Sequence, residues 1–418
     1  MSKESLRDFV ISLGLVSTTI ILTFFPVLGI ESSEDDGSNS AFAIFITVIN
    51  GLALLLIIDY EINNWRKAKY GSLKWYFILP LFVALCYFFN TIFYPEMGRA
   101  SYNIFFFFLP NSIPGIYIAN YIFRYEKVDV LIKNLEIFFL LGSVGLIISV
   151  PTMYSSLGYD VRLAAGGGHQ TISYCSALFC TFFVINQLLA KKIRYNFLDC
   201  KWYNIVEIIL IPCLIAICLM GGGRGGAFLL SVNVFLVAWI LFRQSFFKMM
   251  LYSIAIMLLL YVLFMSLKDS EIMMGVSNGF ERAFSYLSDE GIDMEETSGR
   301  DVVYSYFANL VWKKPVGGFG FFYCYDVCNK SIGMPYPHNL FLEVLLQGGL
   351  IYFMLFIIFL IKVLRYSYLY VKNVNVYFLP LLTYPIVLLM FSGSYMKMCL
   401  FWFLVVYTLN VSRYKHRI

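Results

Sequence analysis

Apolar runs of about 20 residues recur along almost the whole chain, and this repetition restricts the possible fold more than any other feature. A helix of that length crosses the hydrocarbon core of a bilayer. The runs are continuous, whereas the strands of a membrane barrel alternate polar and apolar residues, so we predict spanning helices. Only 14% of the residues are charged, which excludes a soluble globular protein, for which about 25% is typical. The sequence therefore predicts an all-α polytopic integral membrane protein.

The apolar segments predict about twelve transmembrane helices in a single membrane domain that covers residues 1–418. The first segment is too long for a signal peptide and lacks a small-residue cleavage site, so we interpret it as a spanning helix. The segments cover approximately residues 9–30, 41–58, 75–93, 103–123, 135–155, 171–190, 203–220, 226–242, 249–267, 338–361, 376–392 and 397–411.

The distribution of Lys and Arg predicts the orientation of the chain. Twelve crossings place both termini on one side, and the segments on that side carry 21 of the 31 basic residues. Because basic residues accumulate in cytoplasmic loops, both termini are predicted to be cytoplasmic. The acidic loop 31–36 and the polar stretch 268–337 then lie outside. The net charge of +5 follows from this bias and does not indicate nucleic-acid binding.

Residues 268–337 form the longest polar interval, and we predict that this outer loop contains two short helices and part of the active site. Apolar residues at helical spacing from Met273 onward predict an amphipathic helix on the membrane surface. A second helix is predicted to begin at Ser298, a good N-cap residue, and to end before Pro315. Arg300 would then lie in its first turn, where free N–H groups and the helix dipole favour an anion.

Three outer arginines, Arg162, Arg224 and Arg300, are candidate ligands for phosphate. The guanidinium is always charged, and its planar fork matches phosphate oxygens. Glycines on both sides of Arg224 would let a ligand approach the backbone closely. The alternative is that each arginine anchors the chain by extending its side chain to lipid headgroups. Because basic residues accumulate in cytoplasmic loops, topology does not explain an arginine in a glycine-rich turn on the outer side. We therefore favour ligand binding for Arg224.

His338 is one of only three histidines and is predicted to begin a spanning helix with Asn339. Asn339, Glu343 and Gln347 follow at a spacing of four and form a polar stripe on one face. Ionisable groups inside a membrane are costly and usually face a cavity or a partner. Glu343 is therefore a candidate to orient or tune the imidazole. The alternative is that His338 only caps or packs the helix.

The sequence contains no clear metal or nucleotide motif. No His and Cys ligand spacing, no outer Asp-x-Asp and no glycine-rich loop ending in Lys-Ser or Lys-Thr is present. We therefore expect no metal and no cofactor, and a leaving group that arginine can stabilise, such as a polyprenyl diphosphate. Cys324 and Cys328 lie in the polar stretch, where an oxidising compartment would allow them to pair. Their pairing stays open at this point.

At these residues the chain resembles the O-antigen polymerase and O-antigen ligase superfamily of bacterial inner-membrane proteins. The resemblance covers residues 222–355 by motif and the remainder only by hydropathy. It rests on glycine-flanked, basic and aromatic elements in a fixed order. These are Gly223-Arg224-Gly225, Ser298-Gly299-Arg300, the stretch Trp312-Lys-Lys-Pro315-Val-Gly-Gly-Phe-Gly320, the stretch Pro337-His338-Asn339-Leu-Phe-Leu-Glu343, and Gly348-Gly349-Leu350.

The resemblance implies a metal-independent glycosyltransferase with an all-helical, glycosyltransferase-C-like fold that acts at the periplasmic face of the inner membrane. Its donor would be a glycan linked to undecaprenyl diphosphate. A chain-length regulator and a flippase would be further partners, besides membrane lipid and the lipid-linked acceptor.

The resemblance also implies roles for individual residues. Arg224 and Arg300 would hold the diphosphate, and His338 would lie at the acceptor hydroxyl or at the leaving group. The remaining candidates for substrate binding are Arg162, His169, Asn339 and Glu343, of which the first two match the family more loosely.

Several functions remain open within this resemblance. Family ligases often carry a longer His-x-His-Asn element, which is absent before Asn339 here, so an O-antigen polymerase is favoured over a ligase. A capsule or exopolysaccharide polymerase would have the same sequence features. The rival from another class is a polysaccharide flippase or transporter, which predicts inverted repeats and charged groups near the bilayer midplane.

Overall fold

The computed structural model describes residues 2–24, 40–69, 74–95, 98–157, 169–221, 223–242, 287–288, 291–292, 300–333 and 336–414, with the isolated positions 247, 250 and 254. Helices make up almost all of this part of the chain. They are α1 (Lys3–Phe24), α2 (Ser40–Asn64), α3 (Lys74–Phe93), α4 (Gly98–Arg124), α5 (Val128–Leu157), α6 (His169–Leu188), α7 (Lys201–Met220), α8 (Arg224–Phe242), α9 (Arg300–Lys313), α10 (Asn329–Ile332), α11 (Leu340–Asn373), α12 (Phe378–Phe391) and α13 (Cys399–Arg413).

Eleven of the twelve predicted apolar segments coincide with one of these helices. The segment 249–267 lies outside the described residues, apart from two isolated positions. Within the described ranges, seven helices are long and apolar enough to cross a membrane. The all-α, polytopic membrane class is therefore confirmed.

The polar stretch 268–337 is described in parts. Its second predicted helix is present as α9, which begins at Arg300 and ends at Lys313. The first predicted helix, from Met273 to Leu287, and Ser298 lie outside the described residues, apart from Leu287. Leu287 lies in a β-strand, so the prediction of a helix is wrong at this position. Two short strands, β1 (Leu287–Ser288) and β2 (Gly291–Ile292), pair antiparallel and are a small departure from the all-helical expectation.

The helices form one bundle whose two ends differ in chemistry. At one end, which we call the charged end, buried ion pairs join neighbouring helices. The Arg124 guanidinium binds both carboxylate oxygens of Glu61 at 3.0 and 3.1 Å. Arg194 lies between Glu136 and Glu207, at 2.9 and 2.7 Å. Because buried charges are costly unless they are paired, these contacts hold the helices in fixed positions.

The opposite end, which we call the site end, is where α6, α8 and α11 begin. Here α8 packs closely on α6 because three glycines leave no side chain between them. A Cβ atom at Gly226 would lie 2.4 Å from the Cβ of Ser173, and one at Gly225 would lie 1.6 Å from the hydroxyl of Tyr174. The backbone N–H of Gly223 donates to Ser173 Oγ at 3.1 Å. The glycines around Arg224 therefore serve helix packing.

The helix α11 is broken at Gly349, whose φ of 63° and ψ of −162° are outside the helical region. The residues after α9 repair this break. Phe319 and Gly320 donate their backbone N–H groups to the carbonyls of Leu346 and Gln347, at 2.7 and 2.9 Å. Leu350 donates to the carbonyl of Pro315 at 2.8 Å. The loop 315–320 and the glycine pair of α11 therefore form one interlock.

The interlock is also held by the end of α3. Asn90 makes two hydrogen bonds with the backbone of Phe321, and its Oδ1 accepts the Phe321 N–H at 3.0 Å. The Tyr94 hydroxyl donates to the carbonyl of Gly318 at 3.1 Å. A cavity of about 550 Å³ opens beside this contact, and Lys314 lines it together with Phe89 and Tyr94. Among the predicted site residues whose side chains the structure describes, none lines this cavity.

Candidate active site at the start of α11

His338 lies just before the N-cap of α11 and is not, as the sequence predicted, the first residue of the helix. The helix begins at Leu340, and Asn339 is its N-cap, with Oδ1 accepting the N–H groups of Phe341 and Leu342 at 3.0 and 3.1 Å. His338 precedes this cap with a left-handed φ of 53°. The prediction that His338 begins the helix is therefore wrong, because asparagine satisfies the free N–H groups of a first turn better than histidine does. The imidazole is half-buried.

Glu343 is buried on the polar stripe of α11 and faces the link between α12 and α13, which comprises residues 392–398. Its Oε1 accepts hydrogen bonds from the Ser394 hydroxyl and, at 3.2 Å, from the Gln347 amide. Gln347 in turn accepts from the Tyr395 hydroxyl. The predicted stripe is present, and two of its members bind the α12–α13 link. Its contacts therefore join two elements of the site end.

A row of aromatic rings connects His338 to the same link. The imidazole contacts the Tyr336 ring edge-on at a centroid distance of 4.6 Å. The ring centroids of Tyr336 and Tyr325 are 6.1 Å apart, and the Lys397 ammonium lies 4.1 Å from the centroid of the Tyr325 ring. We call His338, Tyr336, Tyr325 and Lys397 the aromatic row. It joins the stretch that contains Tyr325, Tyr336 and His338 to the α12–α13 link, which is distant in sequence.

Within the aromatic row, the phenol of Tyr325 stays protonated. Burial, followed by the negative charge of Glu343, raises the pKa of Tyr325 well above its usual value of 10.0. A neutral phenol offers a hydrogen-bond donor and adds no negative charge. The row therefore presents positive and neutral groups near its surface, which suits an anionic ligand.

The candidate residues of α6 and α8 lie at the site end as well. α6 begins at His169 and α8 at Arg224, and the Cα of Gln170 lies 3.2 Å from the position of a Cβ on Gly223. The side chains of His169 and Arg224 lie outside the described part of the structure. One turn into α8, Phe228 contacts Phe391 at the end of α12, 5.7 Å between centroids. This contact places the start of α8 next to the α12–α13 link.

The helix α9 begins at Arg300, which agrees with the prediction that Arg300 lies in the first turn of this helix. The side chain of Arg300 and the whole of Arg162 lie outside the described residues. α9 packs against the first two turns of α11 in a separate hydrophobic cluster. Val303 and Phe307 of α9 and Leu346 of α11 are among its buried members, and Leu342 lies at its edge. The backbone therefore brings the helix that begins with Arg300 against the helix that comes after His338.

Sequence reasoning missed Tyr325, Tyr336, Ser394 and Lys397. Lys397 carried one usable signal, because it is a basic residue in a short loop on the predicted outer side. The tyrosines carried none, since 31 tyrosines are spread along the chain. Within the described ranges, no group of three or more His, Cys, Asp or Glu side chains is arranged to hold a metal ion.

The arrangement can support transfer between anionic, membrane-bound substrates. The imidazole of His338 can accept a proton, and Lys397 supplies a positive charge at the other end of the aromatic row. The helices α8 and α9 begin at Arg224 and Arg300, and helix N-termini favour anions.

Comparison with known proteins supports this interpretation. Residues 209–357, about a third of the chain, match the family model described as Wzy_C, O-Antigen ligase. The matched region contains Arg224, Arg300, His338 and Glu343, together with both halves of the interlock. Among curated proteins no match was found. Residues 209–357 of this multi-pass membrane protein are therefore similar to the O-antigen polymerase and ligase superfamily, a family of glycosyltransferase-like enzymes.

Proposed function

We propose that the protein is an O-antigen polymerase that joins oligosaccharide repeat units carried on undecaprenyl diphosphate. The observation that carries this proposal is the convergence at the site end. The helix that begins with Arg224 packs next to the α12–α13 link, and the helix that begins with Arg300 packs against α11. His338 lies immediately before Asn339, the N-cap of α11. Arg224, Arg300 and His338 are the three residues on which the family resemblance places the diphosphate and the reacting hydroxyl.

The proposed topology has twelve crossings, both termini in the cytoplasm, and the stretch 268–337 as a periplasmic loop. Two features support it. The buried ion pairs of the charged end use many of the basic residues assigned to the cytoplasmic side, including Arg124, Lys127 and Arg194. The starts of α6, α8 and α11, which carry or adjoin candidate residues, share the opposite end. The fold would then be glycosyltransferase-C-like, with the active site facing the periplasm of the bacterial inner membrane.

In the proposed reaction, the hydroxyl oxygen of one lipid-linked repeat unit attacks the anomeric carbon of the other. A new carbon–oxygen bond forms while the bond from the anomeric carbon to the diphosphate breaks, and its electron pair leaves with the diphosphate. His338 takes the hydroxyl proton. Arg224 and Arg300 bind the leaving diphosphate, because fixed positive groups where negative charge grows are the main electrostatic contribution to such steps. No step requires a metal or a cofactor.

An O-antigen ligase is the second candidate, because the description of the matching family names that activity. The polymerase uses a second lipid-linked repeat unit as acceptor, whereas the ligase uses lipid A-core. A capsule or exopolysaccharide polymerase would share the donor chemistry. A chain-length regulator and a flippase are proposed partners of a polymerase in the same membrane.

Lipopolysaccharide from a deletion strain separates these functions on one gel. We expect single repeat units on the lipid A-core, which is the product left when polymerisation alone is lost. An absence of any repeat unit would indicate a ligase, and glycan retained in the cytoplasm would indicate a flippase. A normal lipopolysaccharide with altered capsule would indicate a capsule polymerase.

Complementation with Arg300 variants then tests the site. Arg300→Lys keeps the charge but loses the planar fork, so we expect chain growth to fall by about tenfold or more while membrane insertion is unchanged. Lys313→Ala, at the exposed other end of α9, is the matched control and should restore full-length chains. Normal chain growth with Arg300→Ala would show that Arg300 does not bind the diphosphate.

A further inference from the structure

Lys397 lies on the α12–α13 link, outside the region that matches the family model. Its side chain is exposed, and its ammonium lies over the ring of Tyr325. A cation over an aromatic face is attracted by the ring and keeps its formal charge. Lys397 therefore presents a positive charge at one end of the aromatic row, with His338 at the other end.

The link that carries Lys397 is held from three sides. Ser394 and Tyr395 bind Glu343 and Gln347 of α11. From α4, Ser112 Oγ donates to the carbonyl of Met396 at 2.6 Å. From α13, Trp402 Nε1 donates to the carbonyl of Tyr395 at 2.9 Å. These contacts fix the backbone on which Lys397 is carried, so only its side chain must be ordered when a ligand binds, which lowers the entropic cost of binding.

The buried Glu343 carboxylate explains why this link is fixed to α11. Its Oε1 accepts from Ser394 and Gln347, so its described hydrogen bonds join the link to the helix. Lys397 is three residues beyond Ser394 and points its ammonium to the Tyr325 ring. The link therefore has a buried half that binds α11 and an exposed half that carries a positive charge.

We propose that Lys397 is a further substrate-binding residue, which contacts the diphosphate of the lipid-linked substrate. This inference rests on the proposed function and adds a cation from the last part of the chain to those of α8 and α9. Lysine provides a compact charge with three N–H donors and binds phosphate as a point charge. The tether to Tyr325 holds that charge beside the row that ends at His338.

Binding of undecaprenyl diphosphate to the full-length protein in nanodiscs of neutral phosphatidylcholine tests the proposal. Undecaprenol, which has the same chain without phosphate, is the control lipid. We expect Lys397→Ala to bind the diphosphate about tenfold more weakly, the loss of one charge-assisted hydrogen bond. Lys397→Arg should stay within about threefold of the wild type, since it retains the charge.

The matched control is Lys314→Ala. Lys314 also lies over aromatic rings, 4.9 Å from the centroids of both Tyr94 and Phe319, but it lines the cavity beside the interlock and is not part of the aromatic row. The Lys314→Ala variant should bind undecaprenyl diphosphate with the same affinity as the wild type. An equal loss in Lys314→Ala would show a general effect of surface charge and would overturn the specific role of Lys397.

The remaining outcomes separate this proposal from the proposed function. If the wild type does not prefer undecaprenyl diphosphate to undecaprenol, the proposed function fails. If the wild type shows the preference and Lys397→Ala keeps the same affinity, only the role of Lys397 fails. Competition by phosphatidylglycerol at equal strength would show that Lys397 binds ordinary lipid headgroups, which also overturns it. Lys397→Gln replaces Lys397→Ala in each comparison if the alanine variant has a lowered Tm.

Discussion

At the scale of single residues, the candidate side chains divide between chemistry and construction. Asn339 was a candidate for substrate binding, and its side-chain oxygen Oδ1 caps α11. Glu343 was a candidate to tune His338, and its described hydrogen bonds go to Ser394 and Gln347. Both residues therefore fix the position of groups that lie nearer to the proposed substrate.

The sequence could indicate which residue types matter here but not which atoms meet. A histidine beside an asparagine at a helix start is visible in the sequence, yet the cap geometry decides which of the two lies outside the helix. The contact between Lys397 and Tyr325 depends on how α13 and the polar stretch are placed around α11. No periodicity or spacing encodes that contact, so residue-level reasoning could not find the aromatic row.

The cysteines of the polar stretch give a prediction at this scale. Cys324 and Cys328 are buried free thiols in one helical turn, whereas Cys200 is exposed. A hydrogen bond with Cys328, together with burial, raises the pKa of the Cys324 thiol well above its usual value. Because the thiolate is the reactive form, a maleimide should label Cys200 rapidly at neutral pH and should label Cys324 and Cys328 only after unfolding.

Mass spectrometry of the digested protein measures this labelling. Cys200→Ser is the control that should remove the rapid phase. A peptide containing both Cys324 and Cys328 with the mass of a disulfide would contradict the prediction and would support the oxidised alternative.

At the scale of elements, the glycine motifs have a different role from the one expected. Pro315 to Gly320 and Gly348 to Gly349 appeared in the sequence as family signatures without a mechanism. The structure shows that they bind each other, since N–H groups of the loop satisfy carbonyls that the broken helix leaves free. The glycines around Arg224 likewise fit against Ser173 of α6. Composition alone cannot distinguish a glycine that admits a ligand from one that admits a neighbouring helix.

Gly349→Ala should disrupt the interlock. Its left-handed φ and extended ψ are accessible in practice only to glycine, and an added Cβ would lie 2.2 Å from the carbonyl oxygen of Val316. We expect a loss of stability of at least about 2 kcal/mol, because backbone strain and overpacking act together. Thermal unfolding of the purified protein in detergent measures the effect.

Gly317→Ala is the matched control in the same interlock. No atom lies within 4 Å of the position that its Cβ would occupy. Its Tm should remain that of the wild type. If the two variants unfold at the same temperature, the interlock does not contribute to stability in the way that we infer.

At the scale of the whole molecule, most of the helical architecture could be predicted from the sequence. The bilayer sets the length of a spanning helix, so apolar runs mark the helices without any knowledge of their partners. The order in which helices pack could not be predicted, because lipid-facing and buried surfaces are both mostly apolar. Buried polar groups decide that order, and the contacts at the charged end show how.

Arg194 illustrates this contribution to the whole fold. It joins Glu136 of α5 to Glu207 of α7, and the Asn186 amide donates to the same two carboxylates at 2.9 and 2.7 Å. Arg194→Ala leaves the buried Glu136 carboxylate without its cation and leaves Glu207 with only Lys192, at 3.6 Å, so it should cost about 3–5 kcal/mol of stability. Unfolding in detergent should show this loss as a lowered Tm.

Lys191→Ala, an exposed change three residues earlier, should leave the Tm unchanged. Because the charged end is remote from the proposed substrate site, Arg194→Ala protein that remains folded should bind undecaprenyl diphosphate normally. A loss of binding at unchanged Tm would contradict a purely architectural role.

The shortness of α12 and α13 has a consequence for how a lipid would meet the enzyme. With 14 and 15 residues they rise only about 21–23 Å, less than the roughly 30 Å of hydrocarbon. The helix α12 starts and α13 finishes at the charged end, so we expect the α12–α13 link to stop short of the opposite membrane surface. A polyprenyl carrier could then keep its chain among the lipid acyl chains while its diphosphate headgroup enters a recess a few ångströms deep above the α12–α13 link. The distal sugars would project into solution, which would make the enzyme sensitive to the first linkage and indifferent to the length of the outer glycan.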